Sequence, residues 1–380
     1  MFGRRITLFR LLGFEVRVDL SWLVLAALVT WTLAVGLFPH TYGGLGRATY
    51  WWMGVFGALG LFFSILFHEF CHSLVARRFG LPMRGITLFI FGGVAEMEDE
   101  PPSPKAEFLM SVAGPLASIA LGLLFHAAAA WMERAASAVP VQGVVSYLAR
   151  INGILALFNL VPAFPLDGGR LLRAVLWQRK KDLRRATRIA SRIGSGFGIF
   201  LILVGAGNFL IGNTLGGLWL FMIGMFLRSS AEASYRQVVF RKALEGETVE
   251  RFMNPQPVAV PPSITIGELV ESYLYRHAFK MYPVVEQDRL LGCITIRRVK
   301  EIPRDDWDRL TVGQRLEPCS DANSIDPGAG ALQALTLMGK SGNSRLLVVK
   351  NGRLVGILSL KDIMGYLSAK MELGGDEGRR

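Results

Sequence analysis

The sequence predicts a polytopic α-helical membrane protein with six transmembrane helices, followed by a soluble α+β domain. Three observations carry that expectation. Hydrophobic residues make up 51% of the 380 and charged residues 19%, with a mean hydropathy of +0.37; ordinary soluble domains are roughly 25% charged. Six apolar stretches are each long enough to approach or cross a hydrocarbon core of ~30 Å. After about residue 240 the composition turns to mixed charge with short alternating runs. Together these exclude a disordered chain, a coiled coil and a wholly soluble enzyme. The cysteines Cys71, Cys293 and Cys319 form no C-x-x-C pair and are too scattered for a disulfide framework.

The first span follows Arg4, Arg5, Arg10 and Arg17 and runs uncharged from Leu20 to Phe38. No small-residue cleavage site follows it, so a retained span is expected rather than a signal peptide. The others cover approximately 50–76, 106–131, 144–162, 195–211 and 215–227. If the N-terminus is cytoplasmic, the outward loops 39–49, 132–143 and 212–214 carry only Arg47 and Arg134 as Lys or Arg. The inward loops carry Arg77, Arg78, Arg84 and Lys105, then a dense run from Arg170 to Arg192. This is the positive-inside asymmetry. It places both termini in the cytoplasm of a multi-pass cell-membrane protein. The net charge of +12 is therefore read as a topology signal, with the lipid bilayer and no nucleic acid as partner.

The soluble part, about 246–371, holds an internal repeat at a constant offset of 64 residues: Val285 with Val349, Arg289 with Arg353, Gly292 with Gly356, Thr295 with Ser359. Each copy (about 246–303 and 310–371) reads as strand, tight turn, strand and helix start, with Asn351-Gly352 a hairpin-turn signal. Residues 1–235 are expected to form the membrane domain, about 230–247 a short linker, and 372–380 a flexible tail.

Chemistry concentrates in the second span, at His68-Glu69-Phe70-Cys71-His72. Residues four apart share a helix face, so both imidazoles can reach one metal ion. Glu69 projects beside them and can take a proton from a water activated there. A catalytic zinc usually has three protein ligands. The candidate third is Asp167, in Asn159-Leu160-Val161-Pro162-Ala163-Phe164-Pro165-Leu166-Asp167-Gly168-Gly169. The prolines and glycines break the helix and let Asp167 turn inward, which is tolerable only where the freed backbone lines protein or a wet cavity. Asp167 could instead be an interfacial carboxylate paired with Arg170 or Arg173. Arg77, nine residues beyond His68, sets the metal ~13 Å of helix below the basic rim.

These two motifs, with Phe91-Gly92-Gly93-Val94-Ala95 and Ala113-Gly114-Pro115 between them, make residues 1–230 resemble the site-2 proteases, zinc metallopeptidases that cut substrates within the membrane. The resemblance implies that His68, His72 and Asp167 bind one zinc and that Glu69 is general base and acid. It further implies that Asn159 holds substrate or the developing oxyanion, a role that suits an amide donor. Cys71 stands where the family usually has glycine; it either packs closely or approaches the metal. Met83–Met97 is either a hairpin that can pair with extended substrate or a plain connecting loop.

The repeat resembles a pair of cystathionine-beta-synthase (CBS) domains. In the second copy Ser359 and Asp362 match positions that contact a phosphate and a ribose; in the first, Thr295 remains but Arg298 replaces the acid. The resemblance implies an adenine nucleotide that modulates activity, or a module that only forms a homodimer. The expected function is regulated intramembrane proteolysis of a membrane protein such as an anti-sigma factor or a membrane-bound pro-protein. The alternative is a zinc-binding transporter or sensor gated by the CBS pair. Glu69 speaks against transport, which has no need of a carboxylate directly after the first histidine, and no inverted repeat of broken helices is evident.

Overall fold

Asp19 begins the first span: its carboxylate accepts from the Ser21 amide at 2.9 Å, capping α1 (Leu20–Trp31) in the way short acidic side chains cap helices. The computed structural model describes residues 5–97, 100–136 and 138–373. The chain divides into two units, Met1–Val238 and Val239–Arg380.

In the first unit, α1 continues through a π-helical turn (Thr32–Leu37) into α2 (Phe38–Thr41). Then follow α3 (Arg47–Arg78), α4 (Pro104–Arg134), α5 (Val139–Asn159), α6 (Asp167–Lys180), α7 (Leu183–Leu210) and α8 (Thr214–Leu244), whose residues from Val239 on are counted in the second unit. Among the described residues, six helical segments are long and apolar enough to cross a membrane: Leu20–Thr41, α3, α4, α5, α7 and α8. Much of their apolar surface points outward, with Leu123 65% and Leu203 67% exposed, a pattern suited to lipid rather than water. Several helices outrun the apolar stretches. α7 begins at Leu183 and takes Arg184, Arg185, Arg188 and Arg192 with it, because long basic side chains leave a helix end while their stems stay on it. α8 likewise continues to Leu244, through residues that read as linker by composition. α6 is amphipathic and sits between the fourth and fifth spans.

Where α3 emerges, a four-stranded sheet assembles in the order β1-β2-β3-β4 from β1 (Arg5–Leu11), β2 (Phe14–Asp19), β3 (Met83–Phe89) and β4 (Gly92–Met97). β2 and β3 are parallel, Glu15 opposite Gly85; the other pairs are antiparallel. The segment Met83–Met97 is thus a hairpin and not a plain loop. Its second strand is a sheet edge.

In the second unit the repeat becomes two three-stranded sheets. The strands Met281–Glu286 and Arg289–Thr295 recur as Arg345–Lys350 and Arg353–Ser359, each shifted by the 64 residues of the sequence repeat. Both turns, Gln287-Asp288 and Asn351-Gly352, adopt positive φ, the geometry that matches strand twist in tight hairpins. Each copy buries its own core, around Val284 and Ile294 in one and Val348 and Leu358 in the other. The last helix runs from Leu360 to Leu373, and the remainder of the expected tail, 374–380, lies outside the described residues.

Candidate metal centre

One turn of α3 separates His68 from His72 and puts both rings on one face, their centroids 4.8 Å apart. Asp167 arrives from the opposite side. Beyond Asn159 the chain turns through 160–166, with a cis Phe164-Pro165 peptide, and Asp167 opens α6. Its Oδ2 lies 3.0 Å from His68 Nε2 and 3.1 Å from His72 Nε2. The two Nε2 atoms are themselves 3.1 Å apart. These three donors are the group of His, Cys, Asp and Glu that converges among the described residues; Cys71 is not in it.

The third wall is α4. The Met110 carbonyl accepts from His72 Nδ1–H at 2.6 Å, and Ser118 Oγ lies 2.9 Å from His68 Nδ1. A carbonyl can only accept, so Nδ1 of His72 must carry the proton, and Nε2 of the neutral ring offers a lone pair to the centre. Two ring nitrogens and a carboxylate oxygen, with outer nitrogens tied to backbone and hydroxyl, are the donor set and support that zinc takes. The residues fit the ion. Gly114 lets α4 come this close: a Cβ there would overlap His72 Nε2 and stand 2.6 Å from His68 Nε2.

Glu69 stays outside the trio and lines a cavity of about 310 Å³, with His72, Asp167, Asn159 and Arg170. Gly93 and Val94 of the edge strand β4 form another wall. A Cβ on Gly93 would sit 2.7 Å from Glu69 Cγ, so the strand approaches the carboxylate only as glycine. Asn159 donates one amide hydrogen to the Leu155 carbonyl at 3.0 Å and has a second to offer the cavity. Phe91, at the hairpin tip, stacks on Phe226 of α8 with centroids 4.5 Å apart.

Arg173 does not pair with Asp167. It is buried and ion-paired to Glu107 of α4 and, at 3.2 Å, to Glu100. Sequence reasoning missed Glu107 because a single acid at the start of an apolar span reads as an ordinary helix N-terminal charge. In the second unit, Ser359 Oγ donates to Asp362 Oδ2 at 2.6 Å, and Asp362 N donates to Ser359 Oγ at 3.3 Å, at the start of the last helix. Thr295 caps the equivalent helix by accepting from Arg298 N at 3.3 Å. The structure brings these hydroxyls to corresponding junctions, with Arg298 in the place of Asp362.

A model of peptidase family M50 matches residues 56–139 and 126–203, and one of CBS domains matches 249–305 and 316–369. Rip3 of Mycobacterium tuberculosis, provisionally named a zinc metalloprotease, is 35% identical over 360 residues, 94% of this chain and 91% of its own. The chain belongs to peptidase family M50. Zinc metalloprotease MJ0392 of Methanocaldococcus jannaschii is 29% identical over 371 residues, 97% of this chain and 98% of its own. A solved site-2 protease from the same organism is 27% identical and covers 60% of this chain and 94% of that one, with a TM-score of 0.43. As an M50 metallopeptidase with six apolar helices, the chain is a multi-pass membrane enzyme, and the transporter alternative falls. Its second unit is a CBS pair.

Proposed function

We propose that this M50 peptidase holds one zinc ion on His68, His72 and Asp167 and cleaves membrane-embedded or membrane-associated proteins. The observation that carries the reading is the convergence of two Nε2 atoms and Asp167 Oδ2 within 3.1 Å, with the Glu69 carboxylate on the adjoining cavity. Zinc bound there supplies Lewis acidity, polarising the scissile carbonyl and acidifying a water. Glu69 accepts that water's proton and returns it to the leaving amine. The free amide hydrogen of Asn159 donates to the oxygen that gains charge. The outer edge of β4, unpaired among the described residues, takes the scissile segment in extended form, since helical backbone hides its peptide bond.

Both termini are assigned to the cytoplasm of the plasma membrane on the distribution of Arg and Lys, and an anti-sigma factor or a membrane-bound pro-protein fits as substrate. Trapping membrane proteins on the Glu69→Gln variant, with identification by mass spectrometry, tests the substrate class. Single-span proteins with helix-breaking residues near the cytoplasmic leaflet are the expected catch. A catch of soluble proteins alone would overturn it.

Gly114→Ala tests the metal centre without replacing a ligand. The added methyl should force the two rings apart, cost about 1–3 kcal/mol of stability as overpacking does, and release zinc from folded protein. Parent-like zinc content by plasma emission would show that α4 does not abut the site.

The CBS pair is assigned an adenine nucleotide, held mainly by the second copy at Ser359 and Asp362, with Thr295 in a weaker first site. A homodimer through the same domains is the companion role. Titrating ATP, ADP and AMP into the full chain should give heat at affinities of about millimolar or tighter. Asp362→Ala should weaken it about tenfold, the worth of one charge-assisted hydrogen bond. No heat with any of the three would leave dimerisation as the domain's role.

A further inference from the structure

We infer that Glu107 and Arg173 are positioning residues for the metal centre: their buried ion pair fixes α6 against α4 and thereby places Asp167. The inference rests on the zinc reading above. α4 supplies the hydrogen-bond partners of the two outer ring nitrogens, the Met110 carbonyl and Ser118, and a close approach at Gly114. α6 supplies Asp167. Where these helices meet one turn before Met110, Arg173 is 4% exposed and Glu107 1%. Arg173 Nε donates to Glu107 Oε1 at 2.6 Å, and Nη2 reaches Glu100 Oε2 at 3.2 Å. The guanidinium also lies 5.0 Å over the ring of Phe164, a buried residue of the turn that delivers Asp167. A planar fork held on two carboxylates and stacked on an aromatic face has few orientations left. It therefore fixes both the rotation of α6 and the path of the turn before it.

The pair is poorly arranged for stability alone. Glu107 Oε2 is buried and has no hydrogen-bond partner among the described residues, and a buried ion pair often adds no more than apolar residues of the same volume would. What apolar residues would not reproduce is the directional hold on α6.

The test uses the full-length protein in detergent, because a single change such as R173M leaves a buried unpaired carboxylate and can unfold the chain. The variants are R173K, which keeps the charge but loses the fork, and E107M/R173M, which replaces the pair by apolar side chains. Three readouts are followed: thermal midpoint, zinc release to a chelator, and the visible spectrum of the cobalt(II)-loaded protein, which reports the ligand set. The double variant is expected to keep a parent-like midpoint while releasing zinc at least about tenfold faster, as loss of outer-shell support does, with an altered cobalt spectrum. R173K should fall between it and the parent. A folded variant with parent-like zinc release and spectrum overturns the inference. So does failure of both variants to fold, which would make the pair a stability element. Absence of zinc from the parent would instead sink the zinc reading itself, and the inference with it.

Discussion

Glu69→Gln should abolish peptide hydrolysis and leave stoichiometric zinc in place. The separation of these two effects follows from where the residue stands. Glu69 is absent from the group in which His68, His72 and Asp167 converge, and it lines the cavity beside Gly93 instead. Glutamine keeps the volume and one acceptor oxygen, but its amide cannot take up a proton at neutral pH. Loss of a positioned acid–base group typically costs about 10²–10⁴-fold. The check is cleavage of a tagged single-span substrate in detergent or proteoliposomes, run beside metal analysis of the same preparation. Retained turnover would remove Glu69 from the proton path. Loss of zinc from correctly folded protein would make it a ligand.

How much of this could be read in the sequence depends on how local the geometry is. The spacing of His68 and His72 is a property of one helix, so their shared face and the place of Glu69 beside them are legible in five residues. The break after Asn159 is equally local, since Pro162 and Pro165 interrupt the helix, although Gly168 and Gly169 lie in the first turn of α6 rather than in the break. The CBS repeat is legible because its 64-residue offset is exact in the strands themselves. What sets the histidine rings is not local. Met110 and Ser118 come from a third helix, 38 and 50 residues away in the chain, and nothing in an apolar span marks a carbonyl or a serine as an imidazole partner. Gly114 stands out in the sequence only as part of a family-like segment; its purpose is visible once a side chain there would meet both rings.

The N-terminal sheet was hidden for a different reason. Arg10 and Arg17 read as topology signals, and both pair with Glu15 within two short strands. β2 pairs in parallel with β3 across the whole of the first two spans, a contact that local periodicity cannot announce. The same holds for Glu107 and Arg173, which lie 66 residues apart in the chain. Each reads as a charge at the end of an apolar run until α4 and α6 are brought together.

Asp167→Ala should lose both activity and most of the zinc, and the loss of zinc is the more informative half. Asp167 Oδ2 is placed almost equally from the two Nε2 atoms, 3.0 and 3.1 Å, so it contributes a donor atom and the only anionic charge in the trio. Without it two neutral imidazoles remain, short of the three protein ligands a catalytic zinc ordinarily has. Affinity should therefore fall by more than the roughly 10–100-fold that accompanies loss of an outer-shell partner. The helix itself should survive the change. α6 is still held by the Glu107–Arg173 pair and by close packing of the Gly169 backbone against Phe164. A parent-like thermal midpoint in the metal-free proteins, set against a much weaker zinc affinity from chelator competition, would identify Asp167 as a ligand rather than a brace. Asp167→Asn sharpens the comparison, because it keeps the shape and one carbonyl oxygen but removes the charge; it should bind zinc between the parent and the alanine form. If Asp167→Ala held zinc as tightly as the parent and remained active, the third donor would have to come from elsewhere. Cys71, part-exposed on the same helix as both histidines, would then be the first residue to replace.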